Sequence, residues 1–483
     1  MTSTFFGVEI GSRALGASQT ALEVVGNNIS NVNTPGYSRQ VVTLDETTPY
    51  TTIDASPTRT GQLGTGVTVA GINRVRDQFL DQRVWTANSQ QGALSSLKDI
   101  VGQVETAYGE PSTTGIGAQL TNLFNTFSTL SAIPESGGVR ATVVNQAQTL
   151  VSAFHNVSAT LNTLTPQITS KIGVTINSIN QIAGQVADLN RQIGLGVASG
   201  QTPNDLQDQR QQLVNQLSAF VDVTVTNQSN PQTKQPTGEI NINIGGFALV
   251  QNDSTNALPA TVSAVGNAIG LTTKLGTTVP LQGGTLYGLI KATTLVTGYQ
   301  TDLDTLAYNV VNATNAIHKT GYALDGTTNN AFFAPLVSAP GAASAIAVDP
   351  GILNNPDKIA AATAPAPPAT FAPGNGDNAS AIATLVSAPI IGNFSLDSFY
   401  NAKVAGVGSD SQTYQKQSDN QGAVVTQLTN QQSSVSGVNL DEELTNMLQY
   451  QRLYQAAARV MNMADSFINQ IINGLGAGSS PTG

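Results

Sequence analysis

Cysteine is absent from the 483 residues, charged side chains make up only 10% of them, and histidine occurs twice. Without cysteine there is no disulfide framework, no thiolate metal site and no cysteine nucleophile. Two histidines, His155 and His318, each set in a helical stripe, cannot supply a histidine metal cluster, and both are read as structural or surface residues. An ordinary soluble protein carries about 25% charged residues. Here Ser, Thr, Asn, Gln and Gly fill the polar positions. The net charge of -10 and a pI near 4.6 leave no basic stripe to displace counterions, which argues against nucleic acid as a partner. Sparse charge also weakens repulsion between copies, as suits a protein that packs against itself. No stretch reaches the roughly 18 apolar residues of a membrane span, so membrane insertion is not expected. The first basic residue is Arg13, and small or polar residues interrupt every apolar run near the N-terminus, unlike a Sec-type signal. Cytosolic residence and export with an intact N-terminus are the two compartments compatible with this.

What the chain does have is an apolar helix with a seven-residue repeat at each end. In the first, Val8, Leu15, Leu22 and Ile29 recur beside Ile10, Ala17 and Val24 until Asn31-Val32-Asn33-Thr34-Pro35-Gly36-Tyr37. In the last, Met447, Tyr450, Tyr454, Ala457, Met461, Ala464, Ile468 and Ile471 alternate steps of three and four. Such seams require partner helices. The first helix has two adjacent stripes, Val8/Gly11/Leu15/Ser18/Leu22/Val25/Ile29 and Ile10/Ala14/Ala17/Ala21/Val24. One can pair with the C-terminal helix and leave the other for neighbouring subunits; a helix tucked into a monomer core explains the periodicity equally well. Isolated low-charge helices are marginal in water, so the ends are expected to be disordered in the free monomer and to order on assembly.

The first helix spans about Phe6–Ile29 and stops at Thr34-Pro35-Gly36. Extended segments follow at Gln40–Leu44 and Val67–Ile72. Residues Arg74 to about Tyr108 read as helix, with Phe79, Val84, Leu94, Leu97, Val101 and Val104 as buried candidates; Leu120, Leu123, Phe124, Phe127 and Leu130 mark a shorter one. The longest helical stretch runs from Gly138 to about Leu195, with a kink or break expected at Pro166. Asn204 or Asp205 caps the next helix, which ends near Phe220. At Asp222 the apolar period changes to two (Val223, Val225, Ile240, Ile242, Ile244), a small antiparallel β unit reaching about Gly283. Helix returns from Leu286 to about His318. Ala361–Gly376 reads as a polyproline-like surface connector. A Gln- and Ser-rich helix covers roughly Phe394–Ser433. The terminal helix starts near Asn439, where Asn439 and Glu442 resemble a capping box, and the tail after Gly474 is expected to be disordered.

Catalytic signals are thin. Gly61-Gln62-Leu63-Gly64-Thr65-Gly66 lacks the Lys-Ser/Thr of a phosphate loop and leads into a strand, so a tight turn is the better reading. Asp441, Glu442 and Glu443 occupy a first helical turn, where capping accounts for them. Asp325-Gly326 lacks the spaced oxygen ligands of a calcium loop. No catalytic residue, cofactor or metal is expected.

The run Asn27-Asn28-Ile29-Ser30-Asn31-Val32-Asn33-Thr34-Pro35-Gly36-Tyr37 resembles the N-terminal motif of the bacterial flagellar rod, hook and hook-associated axial proteins. Its continuation Ser38-Arg39-Gln40, the run Gly437–Leu444, and Tyr450-Gln451-Arg452-Leu453-Tyr454-Gln455-Ala456-Ala457-Ala458-Arg459-Val460 resemble the hook-associated protein 1 (hook–filament junction) branch. Rod and hook proteins usually carry Ala-Asn where this chain has Ala456-Ala457. Internal matches are Gly64-Thr65-Gly66-Val67, Asn204-Asp205-Leu206-Gln207-Asp208-Gln209-Arg210 and Gly376-Asp377-Asn378.

The resemblance implies a multidomain α+β fold. Paired N- and C-terminal α-helices form a coiled coil (residues 1–60 with 434–483), an α-rich middle domain with some β follows (61–221 with 284–433), and a small antiparallel β domain is inserted (222–283). It implies a structural subunit of the flagellar hook–filament junction, required for filament assembly and motility. Self-association in a ring-like layer, contacts with the hook protein and hook-associated protein 3, a cytosolic export chaperone on the C-terminal helix, and type III export to the extracellular flagellum come with it. A hook or distal-rod protein is the alternative, and a surface hydrolase or adhesin using the β insert is a competing class without a visible acid–base set. The residues expected at the assembly interface are Leu15, Leu22, Val25, Ile29, Leu444, Tyr454, Ala457, Met461 and Ile468. Asn28, Asn31, Asn33, Pro35, Gly36 and Tyr37 are expected to fix the turn after the first helix.

Overall fold

The computed structural model describes residues 5–49, 64–259, 270–272, 278–363 and 372–476. The chain begins with helix α1 (Phe6–Ser30), followed by an antiparallel pair, β1 (Gln40–Glu46) and β2 (Val67–Arg74), in which Gln40 faces Arg74 and Glu46 faces Val67. Asp77 starts helix α2 (Gln78–Tyr108) by accepting from the Phe79 and Leu80 amides, and Gly109 at φ +56° ends it. Helix α3 (Ile116–Ala132) buries Leu120, Leu123, Phe124, Phe127 and Leu130.

The spine is α4 (Gly137–Ala198), 62 residues long, or about 93 Å at 1.5 Å per residue. It continues as helix through Pro166, so of the expected kink or break the break does not occur. Ile168, Ile172, Ile176 and Ile179 beyond the proline are all buried, so packing outweighs the one backbone bond that proline cannot make. Helix α5 (Asn204–Phe220) starts after Pro203 with no side-chain cap. The expected caps, Asn204 and Asp205, instead bond to β1 and β2: Asn204 donates to the Ile72 carbonyl (2.8 Å) and Asp205 accepts from the Gln40 side chain (3.2 Å).

Next come β3 (Thr224–Ser229), β4 (Pro236–Ile244), β5 (Phe247–Gln251) and β6 (Ser254–Thr255), an antiparallel sheet in sequential order, with a further strand pair at Gly270–Thr272 and Thr278–Pro280. Gly245 and Gly246, both at positive φ, make the two-residue turn between Ile244 and Phe247. Ile240, Ile242 and Ile244 alternate inward and join the same hydrophobic core as α4. Two α4 amides stitch the insert down. Asn190 donates to the carbonyls of Ile240 (2.7 Å) and Asn252 (2.5 Å), and Asn180 exchanges bonds with the Leu258 backbone.

Helix α6 (Gly284–His318) returns along the core. After three short helices, α7 (Ala342–Ala345), α8 (Pro350–Asn354) and α9 (Asp377–Ala383), the chain ends in α10 (Leu396–Ser436) and α11 (Leu440–Gly476). Helix α10 lies antiparallel on α2 with few buried apolar residues. The contact is made by glutamines: Gln91 to Ser418, Gln421 to the Ala87 carbonyl, Gln432 to Asp81. Phe79, expected in the core, is 70% exposed with the Arg83 guanidinium 5.9 Å from its ring centroid; Leu80 and Val84 take the buried positions against Leu428. Leu94 is only half-buried. The Ala361–Gly376 connector is not all surface: Ala360–Ala362 is a buried strand paired with Tyr322–Ala323, and 364–371 lie outside the described residues. Helix α11 continues past Gly474 to Gly476, and 477–483 also lie outside.

Residues 319–363 have little regular structure and are organised by polar side chains of the long helices. Asn315 bonds the backbone of Phe332 and Phe333, Asp304 accepts from the amides of Gly341 and Ala343, and His155 contacts the Ile346 carbonyl. Arg140 is fully buried and donates to the carbonyls of Pro134 (2.8 Å) and Ile359 (2.7 Å). His318 accepts from the Ala360 amide at Nε2 (2.9 Å), which leaves Nδ1 as the donor to the Asn330 carbonyl (2.8 Å). That tautomer is neutral, and burial pushes the pKa from 6.5 down to about 4. The unfolded chain therefore binds this proton first as pH falls. Stability supplied by neutral His318 is full above about pH 6.5 and is lost progressively toward pH 4, by roughly 3 kcal/mol in total. Thermal unfolding followed from pH 7.5 to 4.5 is expected to show this decline. His318→Gln, which keeps one donor and one acceptor, should flatten the upper part of the profile; an unchanged slope between pH 6.5 and 5 would assign the acid sensitivity elsewhere.

Candidate assembly interface

The two ends of the chain meet each other. Helices α1 and α11 pack antiparallel. A Cβ on Gly7 would lie 3.3 Å from the Ala464 Cβ, one on Gly11 3.4 Å from the Met461 Cβ, and Asn28 bonds to Glu443. The spacing is consistent throughout, so the seam keeps one register for six turns. Small residues permit this approach, with Gly11, Ala17, Ser18 and Ala21 buried on α1 and Ala457 buried on α11.

Asn28 closes the lower end of the seam and is 1% exposed. Its Nδ2 donates to the Gln40 carbonyl (2.9 Å) and to Glu443 Oε2 (3.0 Å), while Oδ1 accepts from the Tyr37 hydroxyl (2.8 Å) and the Gln40 amide (3.0 Å). That is the full capacity of a side-chain amide. It explains why the chain turns back here: α1, the loop, β1 and α11 share one buried group. Asn31 bonds back to Asn27 and accepts from the Thr34 hydroxyl (3.1 Å). The Pro35 carbonyl accepts from Gln212, and Gly36 takes φ +79° where a Cβ would collide with that glutamine. Asn33 is exposed. Burial and the nearby Asp205, Asp208 and Glu443 push the Tyr37 hydroxyl up to about 12, so it stays a donor.

The next residues act as a strap. Ser38 donates its amide (2.9 Å) and hydroxyl (2.6 Å) to Asp208 on α5, which also pairs with Arg74 (2.7 Å). Arg39 turns the other way, its amide to the Ser436 carbonyl (2.8 Å) and its guanidinium to Glu442 (2.6 Å). Asn439 does accept from the Asp441 and Glu442 amides, but Glu442 spends its carboxylate on Arg39 rather than completing a box. The strap thus joins the terminal pair to α5.

Of the residues expected at the interface, Val25 and Ala457 are buried in the seam, Leu15, Leu22, Ile29, Met461 and Ile468 are half-buried, and Leu444 and Tyr454 are exposed. A second apolar stripe on α11 escaped the sequence reading. Leu453, Val460 and Phe467 recur every seven residues with Met463 between them, all exposed, Phe467 at 65%. The signal was present, displaced one position from the stripe that faces α1. Its lower part borders an apolar cleft between Ala14 and Ala17 of α1, Leu44 and Val67 of the strand pair, and Leu453 and Val460.

Comparisons with known proteins agree with this anatomy. The flagellar hook-associated protein FlgK helical domain matches residues 101–333, the flagellar basal body rod FlgEFG protein C-terminal family matches 430–474, and the flagella basal body rod protein family matches 9–37. Flagellar hook-associated protein 1 of Bacillus subtilis (strain 168) is 28% identical over 99% of this chain and 100% of its own length. Over nearly its whole length the chain is thus similar to flagellar hook-associated protein 1. The Escherichia coli (strain K12) member is 29% identical over 95% of this chain and 98% of its own. The solved structure of the flagellar hook junction protein FlgK from Burkholderia pseudomallei superposes with a TM-score of 0.63 at 20% identity, covering 74% of this chain and 100% of that one, and so shares the fold. The two rod-protein matches fall on the two helices of the seam, and the helical-domain match covers the whole of the spine. Among the described residues no cluster of His, Cys, Asp or Glu could hold a metal ion, and no helix is long and apolar enough to cross a membrane.

Proposed function

We infer that this protein is a non-enzymatic structural subunit of the bacterial flagellum that forms the hook–filament junction and is required for filament assembly and motility. The observation that carries the structural side of this reading is the α1–α11 pair, which satisfies one face of each terminal helix and leaves the Leu453/Val460/Phe467 stripe uncovered. An apolar stripe of that length on one helix suits burial between subunits. We further propose that the pair is a coiled coil lining the axis, that residues 1–60 with 434–483, 61–221 with 284–433, and 222–283 are its three domains, and that copies pack in a ring-like layer. Leu15, Leu22, Val25, Ile29, Leu444, Tyr454, Ala457, Met461 and Ile468 then contribute to axial packing. On this reading the hook protein and hook-associated protein 3 are its neighbours, and it reaches the extracellular flagellum by flagellar type III export with a cytosolic chaperone on α11. The sparse charge and absence of cysteine suit that route.

Deletion of the protein is expected to leave cells with hooks but no attached filaments and no swimming, restored by the intact chain. Export of the protein should stop without the flagellar export gate and persist when Sec is blocked. Normal filaments in the deletion strain would overturn the junction role; secretion that follows Sec would overturn only the route.

A further inference from the structure

Three arginines converge on a cleft formed by α2, α5 and the β3–β4 face, with a cavity volume of about 170 Å³. Arg74, Arg76 and Arg210 line it with Trp85, Gln78 and Asn227, and Asp81 is the one carboxylate in the lining. In a chain with 20 basic and 30 acidic residues, three cations around one small space is a marked local excess. Two of them are partly neutralised. Arg76 pairs with Asp81 through Nε (3.3 Å) and NH2 (2.5 Å), and Arg74 pairs with Asp208 through NH1 (2.7 Å). Arg210 has no such partner: its NH1 is spent on the Asn190 side chain (2.8 Å) and the Gly238 carbonyl (2.7 Å), both neutral acceptors. The group is 7% exposed. Burial, with Arg74 nearby, lowers its pKa to about 10, against the opposing charge of Glu239, with which it makes no ion pair.

We propose that this cleft binds a compact oxyanion, held by the guanidinium groups of Arg210, Arg76 and Arg74. Planar guanidinium donors match the oxygens of phosphate, sulfate or a carboxylate, and the volume admits a tetrahedral anion with a few waters but not a nucleotide. Because Arg74 also holds Asp208, and Asp208 holds Ser38, a bound anion is linked through these two residues to the strap that joins the terminal helices to α5. The anion is therefore expected to stiffen that joint.

The test uses the full chain, with inorganic phosphate, sulfate and acetate as probes against chloride at matched ionic strength. Phosphate should raise the melting temperature by a few degrees and saturate, as binding to the folded state alone requires, and titration calorimetry should give one site per chain. Asn227→Asp, an exposed position on the cleft wall, places a fixed carboxylate there. It should weaken phosphate binding at least tenfold while raising the melting temperature in chloride. Arg210→Gln should abolish binding. A response to phosphate and sulfate but not acetate identifies a free inorganic anion as the occupant. An equal or larger response to acetate identifies a carboxylate, of the kind an adjoining molecule can offer. A non-saturating rise that is the same in wild type and Asn227→Asp is a general salt effect and overturns the proposal.

Discussion

Asn28→Leu is expected to release the C-terminal helix from the rest of the chain. The substitution removes both donors and both acceptors of the amide. The Gln40 amide and carbonyl, the Tyr37 hydroxyl and the Glu443 carboxylate are then left short of a partner in a site closed to water. A buried polar group without a partner costs about 1–3 kcal/mol, and more when it is charged. Partial relaxation of the loop offsets some of this, so a net loss of roughly 4 kcal/mol is expected, at the upper end for single substitutions. Hydrogen exchange should show it as lost protection along α11 and the first half of β1, with α3, α4 and α6 unaffected. A loss below about 1 kcal/mol, or one spread evenly over the core, would mean that the amide is not what ties the four segments together.

Val460→Glu combined with Phe467→Glu should have the opposite profile. Both side chains are exposed, so the melting temperature of the monomer should move little, on the order of 0.5 kcal/mol or less. Incorporation into flagella and swimming should be abolished, because two carboxylates would have to be buried without partners at an apolar contact. Ala457→Arg serves as the contrast. Its position is 7% exposed and sits where α1 passes closely, so it should destabilise the helix pair and block incorporation together. If the double glutamate variant assembles normally, the exposed stripe is not a subunit contact. The axial role would then rest on the half-buried flank at Leu15, Leu22 and Ile29.

Periodicity made the apolar framework readable. The bounds of α1, the strand pair and α6, the buried face of α3, and the change to period two at Asp222, follow from side chains whose burial repeats along the chain. The polar fastenings were not readable, because nothing in their spacing announces the partner. Asn204 and Asp205 stand where caps belong, yet both bond to strands more than a hundred residues away. Arg140 and His318 are buried among apolar neighbours, and they bond to backbone groups of the irregular segment 319–363. Ser38, Arg39 and Asn28 came to attention through family resemblance, and what each one holds is visible only in three dimensions. At Pro166 the helix continues where a break was one of the two expected outcomes, held by the isoleucine face beyond it.

The bond between Asn28 and Glu443 spans 415 positions, and this has a consequence for biogenesis. A ribosome must finish nearly the whole polypeptide before the first helix can acquire its mate, so a nascent or prematurely terminated product always carries an open seam at its leading end. Closure of that seam therefore waits on residues from both ends of the sequence.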